Sequence, residues 1–99
     1  MLLLSEIENL QKYLSTQPVR KAFVFGSVAR NEEQFESDVD LLVELDQQAR
    51  VGLIRFNSIK LEIEKILQKK VDLLSEGGVS PYLALAIEKE KRLIYEKRT

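Results

Sequence analysis

Phe23-Val24-Phe25-Gly26-Ser27-Val28-Ala29-Arg30 is an apolar run that ends in Gly-Ser and continues into a short segment carrying an arginine. Ten residues separate Ser27 from a second apolar run, Asp38-Val39-Asp40-Leu41-Leu42-Val43, which opens with two carboxylates in alternate positions. As a strand, the second run has a period of two, which puts Asp38 and Asp40 on one face and Val39, Leu41 and Val43 on the other. A glycine turn beside paired acids is a layout suited to phosphate and metal.

Outward from these runs the chain alternates helix and strand. On the N-terminal side Leu4, Ile7, Leu10, Tyr13 and Leu14 recur at helical spacing, and Thr16-Gln17-Pro18 breaks the pattern before a strand over 19–25. That strand is apolar on both faces, which predicts a central place in its sheet. Val28-Ala29-Arg30 reads as the first turn of a short helix, and 31–37 as a polar surface loop before a strand over 38–45.

After Asp46-Gln47-Gln48, a long helix carries Phe56, Ile59, Ile63 and Ile66 on its inner stripe, leaving Leu53 and Leu61 outside it, and Lys69-Lys70 suit its C-terminus. Val71-Asp72-Leu73-Leu74 reads as a third strand. Ser80-Pro81 opens another helix, with Ser as cap and Pro at the first helical position. Arg92-Leu93-Ile94-Tyr95 either finishes that helix or forms a last edge strand. The expected class is α/β (α+β): a small mixed β-sheet flanked by helices, in a single domain over residues 1–99.

Ninety-nine residues with 44% apolar content can bury a modest core, with no room for a second substrate-binding domain. Fifteen basic against 16 acidic residues give a net charge of −1, so nothing directs the chain to nucleic acid or an anionic membrane. Cysteine and histidine are both absent, which excludes disulfides, thiol nucleophiles, Cys/His zinc sites and imidazole catalysis. Met1-Leu2-Leu3-Leu4 is too short for a signal or membrane segment, so a soluble cytoplasmic protein is expected.

Each fragment of the constellation is weak alone. Asp38-x-Asp40 is what any half-buried strand shows, Gly26-Ser27 is a common turn, and Arg30 alone would be a solvated surface residue. Asp72 lies among Val71, Leu73 and Leu74, where an unpaired buried carboxylate costs several kcal/mol; Lys69 or Lys70 could pair with it. Jointly, Asp38, Asp40 and Asp72 make an all-oxygen set for Mg²⁺ or Mn²⁺, and Gly26, Ser27 and Arg30 offer a phosphate backbone approach, a hydroxyl and a guanidinium.

The combination Gly26-Ser27-x-Ala29-Arg30, Asp38-x-Asp40 and Val71-Asp72-Leu73 after a long helix resembles the DNA polymerase β-like nucleotidyltransferase superfamily. Its nearest likeness is to the minimal nucleotidyltransferases that act as antitoxins to HEPN-domain proteins, over a match from about Val19 onward. The resemblance implies that Gly26 and Ser27 hold the phosphates of a nucleoside triphosphate, Asp38 and Asp40 bind two Mg²⁺ ions, and Asp72 completes the catalytic ion's shell. Arg30 matches a frequent family arginine on phosphate. Asn31, where the family often has Gly, and Gln34-Phe35-Glu36 depart from the pattern in the loop, not at the metal ligands.

The implied reaction is attack of an acceptor hydroxyl on the α-phosphorus of ATP, with pyrophosphate leaving and Asp72 taking the hydroxyl proton. With no acceptor domain in the chain, the acceptor is expected on a HEPN-domain toxin ribonuclease, in a hetero-oligomer. Leu53, Leu61, Tyr82 and Tyr95 are candidate docking residues. Two other readings stay open: a non-catalytic module that blocks its partner by occupancy, and transfer to a small hydroxylated molecule such as an aminoglycoside.

Overall fold

A computed structural model of the chain describes residues 2–26 and 38–98. Helix α1 (Leu4–Leu14) leads into strand β1 (Val19–Phe25), followed by β2 (Val39–Leu45), α2 (Leu53–Leu67), β3 (Val71–Ser75), a 3₁₀ turn (Glu76–Gly78), α3 (Pro81–Glu90) and β4 (Arg92–Glu96). The four strands form one sheet in the order β3-β2-β1-β4. β1 is antiparallel to β2 and β4, while β2 and β3 run parallel, so the sheet is mixed as expected. β1 lies between two strands, in keeping with its unbroken apolar sequence.

The pleat sorts the core into two layers. Ala22 and Val24 of β1, Val39, Leu41 and Val43 of β2, and Val71 and Leu73 of β3 join Leu10 and Leu14 of α1 and Ile59, Ile63 and Leu67 of α2. On the opposite face Phe23, Phe25 and Leu42 pack with Ile87 of α3, flanked by Leu74 and Val79. Each large apolar side chain withdrawn this way contributes about 1.5–3 kcal/mol, so the first layer dominates the stability of the domain.

Local signals explain most element ends. The Glu6 carboxylate accepts from the Leu3 N–H at 2.8 Å, which satisfies a free donor at the start of α1. Ser80 Oγ accepts from the Leu83 N–H at 3.3 Å and Pro81 occupies the first position of α3, as the Ser-Pro pair predicts. α2 starts at Leu53, later than the Asp46-Gln47-Gln48 turn suggests, because the Ala49 N–H closes a local turn on the Asp46 carbonyl at 3.0 Å. It ends in Gln68 at φ 53°, so Lys69 and Lys70 lie beyond the helix, whose last turn holds Lys65.

Three expectations are corrected or resolved. The second strand begins at Val39, leaving Asp38 just before it. Arg92–Glu96 is an edge strand, not a helix end. Tyr95 is no docking residue: it is buried, because its β4 position pairs with Ala22 and turns its ring into the first core layer. Leu53, Leu61 and Tyr82 are exposed as expected. Among the described residues no helix is long and apolar enough to cross a membrane.

Candidate active site

The ends of three strands build the site. Phe25, the last residue of β1, is the register partner of Asp40 on β2, and Asp40 is in turn the parallel partner of Asp72 on β3. Alternation along β2 places Asp40 on the face of Leu42, opposite Val39 and Leu41, and along β3 it places Asp72 with Leu74. Both acids therefore project from the same face, at the same end of the sheet. Neighbouring strands are about 4.8 Å apart, so the two carboxylates can share one ion without any change of backbone.

Gly26 follows Phe25 with φ +73°, in the left-handed region that glycine adopts without strain. A Cβ at this position would collide with the Asp40 Oδ2 and stand 3.2 Å from its Cγ. The lack of a side chain thus has two causes, the backbone conformation and the approach of Asp40. The turn and the first metal-binding candidate are one packed unit.

Asp38 is exposed and sits two residues before Asp40, and Asp72 is exposed as well. The exposure of Asp72 corrects the burial argument made for it. β3 is an edge strand whose Val71 and Leu73 face the core, so the alternating position escapes to the open face and pays no desolvation cost. Its register with Asp40, rather than its apolar sequence neighbours, is what associates it with the site.

Among the described residues no three His, Cys, Asp or Glu side chains are already gathered into a metal cage. The structure brings Asp40 and Asp72 together by register and Asp38 into their vicinity by sequence, but it does not converge the three. The donor set nevertheless fits a hard divalent cation, since every available ligand is a carboxylate oxygen and the lack of a Cβ at Gly26 is what lets the Asp40 carboxylate lie against the end of β1. Ser27, Arg30, the short helix over 28–30 and the loop over 31–37 lie outside the described residues.

Other recesses among the described residues lie elsewhere. One of about 440 Å³, lined by Arg20, Asp46, Gln47, Gln48 and Ala49, is at the opposite end of β2 and holds none of the candidate residues. There Lys97 Nζ lies 3.0 Å from Asp46 Oδ2 and donates to the Gln17 carbonyl at 3.2 Å, tying the segment after β4 to the far end of β1 and β2. On the site's own face, sequence reasoning missed Lys91, whose Nζ stands 4.3 Å from the centre of the Phe23 ring. No local pattern signals that contact, because its partners lie far apart in the chain.

Comparison with known proteins is consistent with this geometry. A family model described as polymerase beta, nucleotidyltransferase matches residues 8–99. The protein adenylyltransferase MntA of Thermococcus cleftensis is 33% identical over 95 residues, which cover 91% of this chain and 94% of the relative. Among solved structures, a toxin–antitoxin structure with AMP-PNP superposes with a TM-score of 0.76 at 18% identity, covering 97% of this chain and 76% of that one. The complex of a tri-AMPylated Shewanella oneidensis HEPN toxin with MNT antitoxin gives 0.66 at 18% identity, covering 95% and 71%. At these identities the two structures speak for the fold alone.

Proposed function

Because this chain belongs to the polymerase β nucleotidyltransferase family, we propose that it transfers AMP from ATP to a hydroxyl of a HEPN-domain toxin ribonuclease and so acts as its antitoxin. The observation that carries this reading is the row Gly26, Asp40, Asp72, in which a side-chain-free turn abuts one acid and a second acid is that acid's register partner. Gly26 and Ser27 receive the triphosphate, and Arg30 supplies a guanidinium to its oxygens. Relatives named for protein adenylylation, and a fold neighbour whose HEPN toxin is AMPylated, support the choice of nucleotide and partner. Cytoplasmic ATP is the donor that this reading requires.

The acceptor O–P bond forms as the bond from the α-phosphorus to pyrophosphate breaks. Asp38, Asp40 and Asp72 would hold two Mg²⁺ ions, or Mn²⁺, which when bound neutralise phosphate charge and acidify the attacking hydroxyl. Asp72, exposed at the sheet edge, can reach an incoming hydroxyl and take its proton. Asp40 is seated between Phe25 and Asp72 in the register, next to the phosphate turn proposed at Gly26. No side-chain nucleophile is needed, in keeping with a sequence that lacks Cys and His.

The test is co-expression with a HEPN-type protein encoded beside it, followed by mass spectrometry of that partner. The parent chain should add one or more AMP groups, and Asp40→Asn should add none while keeping its fold and its hold on the partner. An unmodified yet fully inhibited partner would instead establish inhibition by occupancy.

A further inference from the structure

The two edges of the sheet are treated differently. Along β4 the register slips between Ala22 and Phe23, which leaves Ile94 as a bulged residue, and Gln11 of α1 donates from Nε2 to the Ile94 carbonyl at 2.8 Å. A bulge and a side-chain cap are devices that keep an edge from pairing with another strand. β3 forms the other edge, beside the candidate site, and its register with β2 runs without a slip from Val71 to Ser75.

The ladder fixes which main-chain groups of β3 face outward. The Val39 N–H donates to the Lys70 carbonyl at 2.9 Å, so in a parallel ladder the groups of Asp72 and Leu74 turn toward β2 and those of Val71, Leu73 and Ser75 turn away. Glu64 of α2 closes the first outward position, its Oε2 accepting from the Val71 N–H at 2.9 Å. Among the described residues the outward N–H and C=O of Leu73 and the N–H of Ser75 have no such partner.

An extended main chain matches that row, and the row lies next to Asp72. An antiparallel segment whose residue opposite Leu73 makes both hydrogen bonds puts the next residue opposite Asp72, in the close kind of pair with Cα atoms about 4.5 Å apart. Opposed residues share a face, so that side chain lies with the Asp72 carboxylate on the face of Asp40. A hydroxyl placed there meets the group that takes its proton as AMP passes to the oxygen and pyrophosphate leaves. Lys70, two residues before Asp72, is exposed and forms no ion pair among the described residues, so it favours a carboxylate on the incoming segment two positions after the hydroxyl.

Resting on the reading that this chain adenylylates a protein hydroxyl, we propose that the acceptor protein docks through an extended segment that adds a further strand to the sheet at β3, with its Ser, Thr or Tyr opposite Asp72 and an acidic residue opposite Lys70. Main-chain bonds to Leu73 and Ser75 then supply the affinity, and the register of the added strand positions the hydroxyl.

Hydrogen exchange read by NMR tests the pairing on the Asp40→Asn chain, which keeps the acceptor unmodified, alone and in its co-expressed complex with the HEPN-type protein encoded beside it. The Leu73 and Ser75 amides should exchange roughly tenfold more slowly, or better, in the complex, while the Asp72 amide, bonded to β2 in both, changes little. Ser75→Pro, tolerated because that N–H faces outward from an edge strand, should lower AMP transfer to the same partner by roughly tenfold or more and leave ATP affinity with Mg²⁺ unchanged within about twofold. The exchange data decide the matter if Ser75→Pro does not fold. Undiminished transfer by the folded variant, or Leu73 and Ser75 amides that exchange as fast in the complex as alone, would overturn the edge site and leave the adenylyltransferase reading standing. A parent chain that transfers no AMP to that partner would remove the reading and the edge site with it.

Discussion

Gly26 and Asp40 are in contact across the β1–β2 ladder, such that any Cβ on residue 26 would enter the Asp40 carboxylate. The turn that closes β1 is therefore shaped by the acid on its neighbour. This relationship gives Gly26 a structural meaning that a glycine in an open surface turn would not have.

Gly26→Ala should accordingly impair both stability and chemistry. The positive φ costs about 1–2 kcal/mol for an L side chain, and the contact with Asp40 forces further displacement. Urea unfolding should report a loss of at least that size, and AMP transfer should fall more than tenfold as Asp40 is pushed out of line. Equal activity in the variant and the parent would mean that the position of Asp40 is not set by this contact.

Arg30→Ala tests the proposed phosphate contact. Loss of one charge-assisted bond is worth on the order of 1.5–3 kcal/mol, so ATP affinity should drop roughly tenfold to a hundredfold. Adenosine, which has no phosphate, should bind both forms alike. Calorimetry on the two ligands checks the difference.

The far end of the sheet should affect stability without affecting catalysis. Lys97→Met removes the half-buried contacts to Asp46 at 3.0 Å and to the Gln17 carbonyl at 3.2 Å, at a cost of about 1 kcal/mol. These contacts lie at the other end of β2 from Asp40, so the melting temperature should fall by a few degrees while the transfer rate is retained.

Tyr13 gives a pH signature for the packing of α1 on α2. Burial raises its pKa above the ordinary tyrosine value, the Glu62 charge adds to the shift, and Arg55 opposes it. A raised pKa in the folded state means that folding favours the neutral phenol. The associated stability is present below the unfolded pKa near 10 and is lost as pH rises through the folded value. Ultraviolet titration should show a late-ionising tyrosine that disappears in Tyr13→Phe, together with a weaker decline of stability at alkaline pH.

Sequence alone determined the order of the described elements as far as α3, the central place of β1 and the cap at Ser80, because periodicity and turn residues are local properties of the chain; whether 92–96 ended α3 or formed a strand was left to the tertiary structure. It also carried the family resemblance, through short motifs with fixed spacing. It could not determine the environment of Asp72, since the same Val71-Asp72-Leu73 pattern is buried in a central strand and open in an edge strand. Only the sheet order, a matter of long-range pairing, decided that. Tertiary structure likewise turned Tyr95 inward, set Asp72 beside Asp40, and placed Lys91 over Phe23, because each of these contacts joins segments whose meeting depends on how the strands assemble.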